Sequence, residues 1–311
     1  MLSLYGGKRM RIVLSRKGFD TTNSKQANCG GAASPIFPDG TMVSLPIPEV
    51  QPYIQTGIRY SALICPIEGF RNMGEIGAQL SKGKLRPAEH SLAHVDPDLD
   101  RNSFQERPEN WRALFGQDGG AQTELCDIEV GDLFLFFGRF RDVTVSDSDN
   151  ARGKVIAPRR GSVAMHVIFG WLSVGKILKV GSPKANDWLE KNPWAAYHSH
   201  FNGHHKNNTV YVAAEQCFDV FPGAGVFRHY DERLRLSAPD CSSTVWRLPP
   251  WMRPTAGHLP LTHHQKAERW DVRENCVILS AARRGQEFIL NTTHYPEADE
   301  WAESLLSLTS Q

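Results

Sequence analysis

The chain has 311 residues, 41% of them hydrophobic and 22% charged, and a formal net charge of +1. This balance is ordinary for a globular protein and excludes a surface that is basic all over, so a nucleic-acid enzyme of this sequence would need a local basic groove. No apolar stretch reaches the roughly 18 residues of a membrane span, and the N-terminus is too short and polar for a secretory signal, so we expect a cytoplasmic protein.

The cysteines are spread singly along the chain, without a C-x-x-C pair. This spacing argues against a structural zinc site and against a disulfide framework. We expect most of them to be small buried residues. They are Cys29, Cys65, Cys126, Cys217, Cys241 and Cys276.

An apolar run of strand length, Met10 to Leu14, ends in a polar turn that contains Gly18. The turn would leave Arg16, Lys17 and Asp20 at the carboxyl end of the strand, where ligands often bind when helices cover a sheet. Two cations suit an anionic ligand, and the carboxylate suits a general base. The alternative is an ordinary charged surface turn.

The loop at 28–40 holds three glycines and two prolines in thirteen residues, which predicts an irregular path. Gly30 and Gly31 would allow a ligand to approach the backbone closely, or would hold a phosphate through their N–H groups. The loop matches neither the P-loop nor the dinucleotide-binding glycine pattern.

A second polar segment places His94, Asp96 and Asp98 on one side of an extended chain. Pro97 favours an extended Asp96. Three interpretations stay open: a divalent-metal site, a second base for acid–base chemistry, and a solvated acidic turn.

Two apolar runs, 133–140 and 163–180, predict strands buried on both faces, joined by a polar hairpin at 143–161. Helices are predicted around this core. They cover 108–115, 121–126 and a C-terminal capping segment at 296–309.

The histidine-rich segment 197–207 would bring His198 and His200 to one side of a strand. It contains no acidic or cysteine partner, so the pattern favours a polar loop along a phosphate backbone over a metal site. Arg228 lies among aromatic residues, a combination that suits base stacking and phosphate neutralisation but also a core aromatic cluster with arginines at its edge.

The segment 283–290 predicts a turn that leads into a buried strand. In this turn Arg284, Gln286 and Glu287 would be able to read the edge of a base, because Gln and Glu offer directional acceptors.

The apolar runs Val130–Phe137 and Ile168–Ile177 resemble the core of PUA-like barrels of the EVE and ASCH type, in which a small barrel holds a nucleobase. The resemblance implies an α+β, β-rich fold with peripheral helices. We expect an N-terminal α/β portion at 1–123, which carries the catalytic motifs. A β-rich portion with the PUA-like barrel follows at 124–311, and the two pack as one unit.

A longer set of ordered motifs resembles the third family of nucleotide modification associated domains over residues 10 to 290. The family is linked to systems that install or attack hypermodified bases in phage DNA, and we also see similarity to antiphage DNA glycosylases that excise glucosylated hydroxymethylcytosine. The motifs are Ser15–Asp20, Gly30–Gly40, Ser44–Pro48, His94–Asp98, Gly131–Gly138 and Arg284–Phe288.

The resemblance implies a DNA glycosylase that flips a modified base out of the duplex and hydrolyses its N-glycosidic bond without a metal or a cofactor. The candidate carboxylate is Asp20, with Asn23 positioning water, and Asp96 with His94 is the competing candidate. Lys17 as a Schiff-base nucleophile is a further route. The expected partner is DNA, with no membrane and no obligate protein partner. The candidate substrate contacts are Arg16, Lys17, Gly30, Gly31, Ser34, His198, His200, Arg228, Arg284, Gln286 and Glu287.

Two other functions fit the same residues. A transferase that modifies a base would use Gly30 and Gly31 to hold a donor diphosphate. A non-catalytic reader of modified DNA would use the PUA-like portion alone.

Overall fold

The structure is a computed structural model, and the described residues are 9–19, 32–49, 57–85, 91–104, 106–147, 153–203, 206–255, 257–282 and 287–310. The fold is α+β and rich in strands, as the sequence predicts. The helices are α1 (Met73–Leu80), α2 (Gly119–Glu124), α3 (Pro183–Lys191) and α4 (Glu297–Leu306). The strands are β1 (Ile12–Arg16), β2 (Ser34–Ile36), β3 (Ile47–Glu49), β4 (Ile58–Arg59), β5 (Leu92–His94), β6 (Leu114–Asp118), β7 (Leu133–Asp147), β8 (Lys154–Pro158), β9 (Met165–Lys179), β10 (Asn208–Ala213), β11 (Gln216–Cys217), β12 (Phe221–Pro222), β13 (Ala224–Val226), β14 (Val245–Leu248), β15 (Trp270–Val272), β16 (Val277–Ser280) and β17 (Glu287–Leu290).

The main sheet follows the order β17-β1-β7-β9-β10-β6, with β2 and β8 added to β7 and β13 added to β9. Strands β1 and β7 are parallel, and the other neighbours along this path are antiparallel. The sheet curls so far that side chains of its two edge strands meet. Gln117 on β6 donates a hydrogen bond to Glu287 on β17.

The described residues form no closed barrel. The prediction of a PUA-like barrel is therefore wrong in one respect, because the main sheet of the described residues stays open. Side chains, and not backbone hydrogen bonds, bridge the gap between β6 and β17. Two three-stranded sheets, β3-β5-β4 and β14-β16-β15, flank the main sheet.

The apolar runs fold into the long β7–β9 hairpin at the centre of the sheet, as predicted. Its side chains are buried on both faces: Phe136 packs against Phe115, and Phe137 packs against Trp246 and Phe288. This double burial explains why the runs contain so little polar alternation.

The helix predicted at 108–115 is wrong. Pro108 to Trp111 form a turn, and β6 begins at Leu114. The pairing of β6 with β10 buries Leu114 and Phe115 completely and outweighs the local helix signals. The other two predicted helices are confirmed as α2 and α4, with ends shifted by a few residues.

The burial of the cysteines also differs from the expectation. Among the described cysteines Cys217 is buried, Cys126 is exposed and the others are intermediate. No helix in the described ranges has both the length and the apolar character that crossing a membrane requires.

Candidate functional site

A pocket with a volume of about 90 Å³ opens beyond the carboxyl end of β1. Lys17 and Gly18 line one side of it, and the segment Val95–Asp100 lines the other. Gly18 has a φ of 122°, a conformation that favours glycine, so the chain turns sharply at the end of the strand. Apolar side chains, among them Leu45 and Phe169, form much of the wall.

Behind one side of the pocket lies a buried ion pair, which we call the Lys17 cluster (Lys17, Glu287, Gln117 and the ring of Phe115). Lys17 Nζ lies 3.2 Å from Glu287 Oε1 and 4.7 Å from the centre of the Phe115 ring. The same carboxylate oxygen accepts a hydrogen bond from Gln117. The cluster joins β1, β6 and β17 and holds the two edges of the curled sheet together.

The backbone of β7 fixes the path of Lys17. The Lys17 N–H donates to the Phe137 carbonyl at 2.9 Å. A Cβ at Gly138 would lie 2.7 Å from the Lys17 carbonyl oxygen, so only glycine lets the two chains pass this closely.

The other polar group is the Asp96 cluster (Asp96, His94, His198 and His200). Asp96 Oδ1 accepts the Gly116 N–H at 2.7 Å and lies 3.3 Å from His198 Nε2. Asp96 Oδ2 lies 3.7 Å from His94 Nε2 and 3.5 Å from His200 Nε2. Three imidazoles from two distant segments therefore surround one buried carboxylate.

Burial and hydrogen bonding act against each other in this cluster. Burial would raise the pKa of Asp96, but hydrogen bonding with His198, His200 and His94 holds it well below its usual range. Burial lowers the pKa of His198. For His200, burial acts in the same direction, but hydrogen bonding with Asp96 and Asn208 outweighs it and raises the pKa. The carboxylate is thus ionised, and its charge is shared among the rings.

Strand β6 separates the two clusters. Phe115 and Gln117 face the Lys17 cluster, whereas Gly116 faces the opposite side. A Cβ at Gly116 would lie 2.2 Å from the His200 ring, so the imidazole packs directly on the backbone.

The family model described as nucleotide modification associated domain 3 matches residues 11–291. The chain belongs to this family. Membership gives it a role associated with nucleotide modification. No curated protein and no solved structure matches the chain.

Both clusters of this family member lie within the matched range, from Lys17 to Glu287. The pocket therefore brings together the first and the central of the family motifs named above, and the last motif lies next to it. Lys17 and Gly18 come from the first, Asp96 and Asp98 from the central one, and Glu287 adjoins the pocket through Lys17.

The expected alignment of His94, Asp96 and Asp98 is correct only for the first two. Asp98 is turned towards Arg107, whose Nη2 donates to both carboxylate oxygens at 2.8 and 2.9 Å. The Arg107 guanidinium lies 4.0 Å from the centre of the Phe104 ring, so this second ion pair is enclosed by aromatic contacts.

Other predicted contacts of the family member are distributed more widely. Ser34 is buried and accepts the Leu45 N–H at 3.0 Å, which is a structural contact. The charge of Arg16 acts on buried His166 and helps to lower its pKa. Arg228 lines the pocket, is half-exposed and binds Asp100 at 2.8 Å.

Burial also limits what three predicted contact residues can touch. His198 and His200 are buried in the Asp96 cluster, and the Glu287 side chain is fully enclosed. They support the site from inside and do not present an exposed edge to DNA. The remaining candidates, Asp20, Asn23, Gly30, Gly31, Arg284 and Gln286, lie outside the described residues.

Four residues that complete these clusters are not predicted from the sequence. Gln117 completes the Lys17 cluster, Gly116 donates to Asp96, Asn208 binds His200, and Glu49 lies 3.9 Å from His94 Nδ1. Of these four, only Gln117 stands in a pattern typical of a strand, because it alternates with Phe115 in a short segment next to glycines. The glycines of the same segment are also typical of a helix end, and this second pattern hides the strand.

Proposed function

We propose that the protein is a DNA glycosylase that hydrolyses the N-glycosidic bond of a hypermodified cytosine in phage DNA, such as glucosylated hydroxymethylcytosine, and leaves an abasic site in antiphage defence. The observation that carries this proposal is the pocket itself. Lys17 with Gly18 and the segment Val95–Asp100 meet there across apolar walls. An apolar slot with polar groups at its margin suits a planar base that has been flipped out of the duplex.

The chemistry needs a carboxylate near the sugar. As the C1′–N bond breaks, the base leaves with the electron pair and takes up a proton from the solvent, while positive charge develops on the sugar. A water molecule then adds to C1′ and gives its proton to the carboxylate, which releases it to the solvent. We assign the carboxylate to Asp20, which follows the pocket-lining turn in sequence, and the positioning of water to Asn23.

Asp96 with His94 stays the second candidate for this carboxylate. Its oxygens already face the Gly116 N–H and three imidazoles, and its side chain is 4% exposed. This enclosure favours Asp20 for direct action on the sugar and leaves Asp96 a supporting role. Lys17 is engaged by Glu287, which favours attack by water over a Schiff-base route.

At the rim, Arg228 is the cation that offers an exposed guanidinium for a DNA phosphate. Its contact with Asp100 is on the surface and weak enough to be exchanged for a phosphate. The near-neutral net charge of the chain then requires that DNA affinity depend on a few such local contacts.

The test is incubation of the protein, without any cofactor, with two duplexes of the same sequence that carry glucosylated hydroxymethylcytosine or plain cytosine. We expect free modified base, detected by mass spectrometry, and alkali-labile sites in the modified duplex alone. Turnover that requires an added sugar donor would instead identify a transferase. Tight binding without product would identify a reader. A DNA adduct trapped by borohydride would replace the water route with Lys17.

The catalytic assignment has its own variants. Asp20→Asn is expected to abolish base release, whereas Asp219→Asn, an exposed residue outside the pocket lining, keeps it. If Asp20→Asn and Asp96→Asn both released base at the rate of the unchanged protein, the carboxylate assignment would be wrong even though the reaction class stood.

A further inference from the structure

We propose that His94, Asp96 and His200 bind one divalent first-row transition-metal ion, for which Zn²⁺ is the natural probe. One carboxylate oxygen and two imidazole nitrogens form the donor set, which is the combination that zinc and related ions take in three-ligand sites. The ligand atoms all lie within 4.8 Å of one another. From the sequence, a divalent-metal site stays open at His94–Asp98 and is disfavoured at 197–207, because that second segment contains no acidic or cysteine partner.

The distances fit a metal of this size. With bonds of about 2.1 Å, two ligands of a tetrahedral ion lie about 3.4 Å apart. Asp96 Oδ2 lies 3.5 Å from His200 Nε2 and 3.7 Å from His94 Nε2. Movements of a few tenths of an ångström would bring each imidazole to the required distance from Asp96, and the two imidazole nitrogens, which lie within 4.8 Å of each other, would draw together around the ion.

The two oxygens of Asp96 have separate partners. Oδ1 accepts the Gly116 N–H at 2.7 Å and faces His198, whereas Oδ2 faces the two other imidazoles. The backbone contact orients the carboxylate and leaves Oδ2 for a ligand. His198, which lies at Oδ1, acts in this arrangement as a positioning residue.

Metal-bound histidines usually donate their second ring N–H to an oxygen atom beyond the metal site. The contact of His200 Nδ1 with the Asn208 side chain is of this kind. The Asn208 amide donates through Nδ2 to the His200 carbonyl at 2.8 Å, so its Oδ1 must face the ring. His200 Nδ1 lies 2.8 Å from that oxygen and therefore carries the hydrogen. When the ring is neutral, this leaves the Nε2 lone pair on the side of Asp96 Oδ2, where a bound cation would lie between the two atoms.

A second observation supports a ligand at this place. His198 Nδ1 is buried and has no hydrogen-bond partner among the described residues, and its Nε2 has only Asp96 Oδ1 nearby, at 3.3 Å. One carboxylate thus stands amid more imidazole nitrogens than the surrounding protein satisfies. His94, with 17% of its side chain exposed, gives the route by which an ion would enter.

The inference does not depend on the proposed glycosylase, because it is tested by binding alone. Metal-free protein is titrated with Zn²⁺ in a calorimeter, and Co²⁺ absorption reports the nitrogen and oxygen donors. We expect one ion per chain. His94→Gln, at the exposed side of the cluster, is expected to weaken Zn²⁺ binding about a hundredfold or more, because it removes one of three ligands.

The matched control is His263→Gln. His263 Nε2 lies 3.0 Å from Glu124 Oε2, and no third ligand joins this pair within the described ranges. The control should bind Zn²⁺ as the unchanged protein does. Asn208→Ala, which removes only the outer contact, should weaken binding by about 10- to 100-fold.

Folding is checked independently through the melting temperature. Zn²⁺ should raise it for the unchanged protein and for His263→Gln, but not for folded His94→Gln. The inference is overturned if the unchanged protein takes up no Zn²⁺, or if His94→Gln binds it with unchanged affinity.

Discussion

The Lys17 cluster and the Asp96 cluster lie on opposite faces of β6, one residue apart in the strand, yet they are built differently. In the Lys17 cluster one amine meets one carboxylate, and Gln117 adds a further donor. In the Asp96 cluster one carboxylate meets three imidazoles and a backbone N–H. The first pairs one positive with one negative charge, although Glu287 Oε2 has no hydrogen-bond partner among the described residues, whereas the second sets three imidazoles around one carboxylate.

This difference separates a contact that holds the fold together from one that is ready for a ligand. A buried, balanced pair is costly to break and offers little to an incoming group. A carboxylate surrounded by excess imidazoles keeps ligand capacity when the fold is complete. The pocket is lined by Lys17 on one side and by Asp96 on the other, so each cluster positions one of its sides.

The largest expected effect comes from breaking the Lys17 cluster. Lys17→Met leaves the Glu287 carboxylate buried without its cation and should lower the free energy of unfolding by about 3–5 kcal/mol. The double variant Lys17→Met with Glu287→Gln should regain most of this loss, because no charge is then buried alone and Gln117 keeps an acceptor. Urea unfolding measures both. A loss below about 1 kcal/mol in the single variant would remove the distinction between the clusters.

The packing of β6 against the Asp96 cluster gives the next effect. Gly116→Ala would place a methyl group 2.2 Å from the His200 ring, so the ring must move. We expect a loss of about 1–3 kcal/mol, measured by thermal unfolding, as is typical of overpacking. Gly120→Ala is the control, because its methyl group would meet nothing within 4 Å. Equal stability of the two variants would show that His200 does not pack as described.

A buried histidine outside both clusters supplies the reference for a purely structural imidazole. His166 Nδ1 accepts the Trp246 Nε1–H at 3.0 Å. Burial, with the charges of Arg16 and Arg139, lowers the pKa of His166 from 6.5 to about 3. As the pH falls, the unfolded chain therefore binds a proton at His166 before the folded protein does. The contribution of neutral His166 to the free energy of unfolding is complete above pH 6.5 and is lost as the pH falls towards 3.

This loss should be up to roughly 1.4 kcal/mol per pH unit within that window. Urea unfolding at a series of pH values measures it. His166→Gln, which keeps an acceptor for Trp246, should reduce the slope of the profile between pH 6.5 and 3, whereas exposed His229→Gln should leave it unchanged. An identical profile for His166→Gln would show that this ring does not resist protonation.

The smallest effect on stability is expected at the pocket rim. Arg228→Gln removes a half-exposed contact with Asp100 and should change the free energy of unfolding by less than about 1 kcal/mol. It should nevertheless weaken DNA binding and reduce the salt dependence by about one ion. Arg233→Gln, an exposed arginine paired with Asp231, is the control. Equal DNA affinity of the two variants would remove Arg228 from the DNA contact surface.

The sequence predicted the parts of the fold that depend on local pattern. The strand that begins at Ile12, the apolar β7–β9 hairpin and the helix that begins at Glu297 follow from runs of residue types. It failed at 108–115, where pairing with a distant strand decides the conformation. It also failed at the barrel, because the closure of a curled sheet depends on the register of edges that lie far apart in the chain.

The candidate site divides in the same way. The sequence singled out Lys17, Asp96, His198 and His200, because these residue types stand out from their neighbours. The sequence does not show that Asp96 lies beside His200, because the two residues belong to distant segments that only the folded chain brings together. It also took buried side chains for DNA contacts, because burial is set by the assembled sheets.

The central claim is that the modified base binds in the pocket that Lys17 and Asp96 line. Ser44 lines this pocket and is only partly buried, so Ser44→Trp should fill it. Thr144→Trp places the same ring on an exposed strand position and serves as the control. The measurement is the rate of modified-base release by each variant, at equal melting temperature. We predict loss of release by Ser44→Trp and full release by Thr144→Trp; release by both at the rate of the unchanged protein would contradict the account.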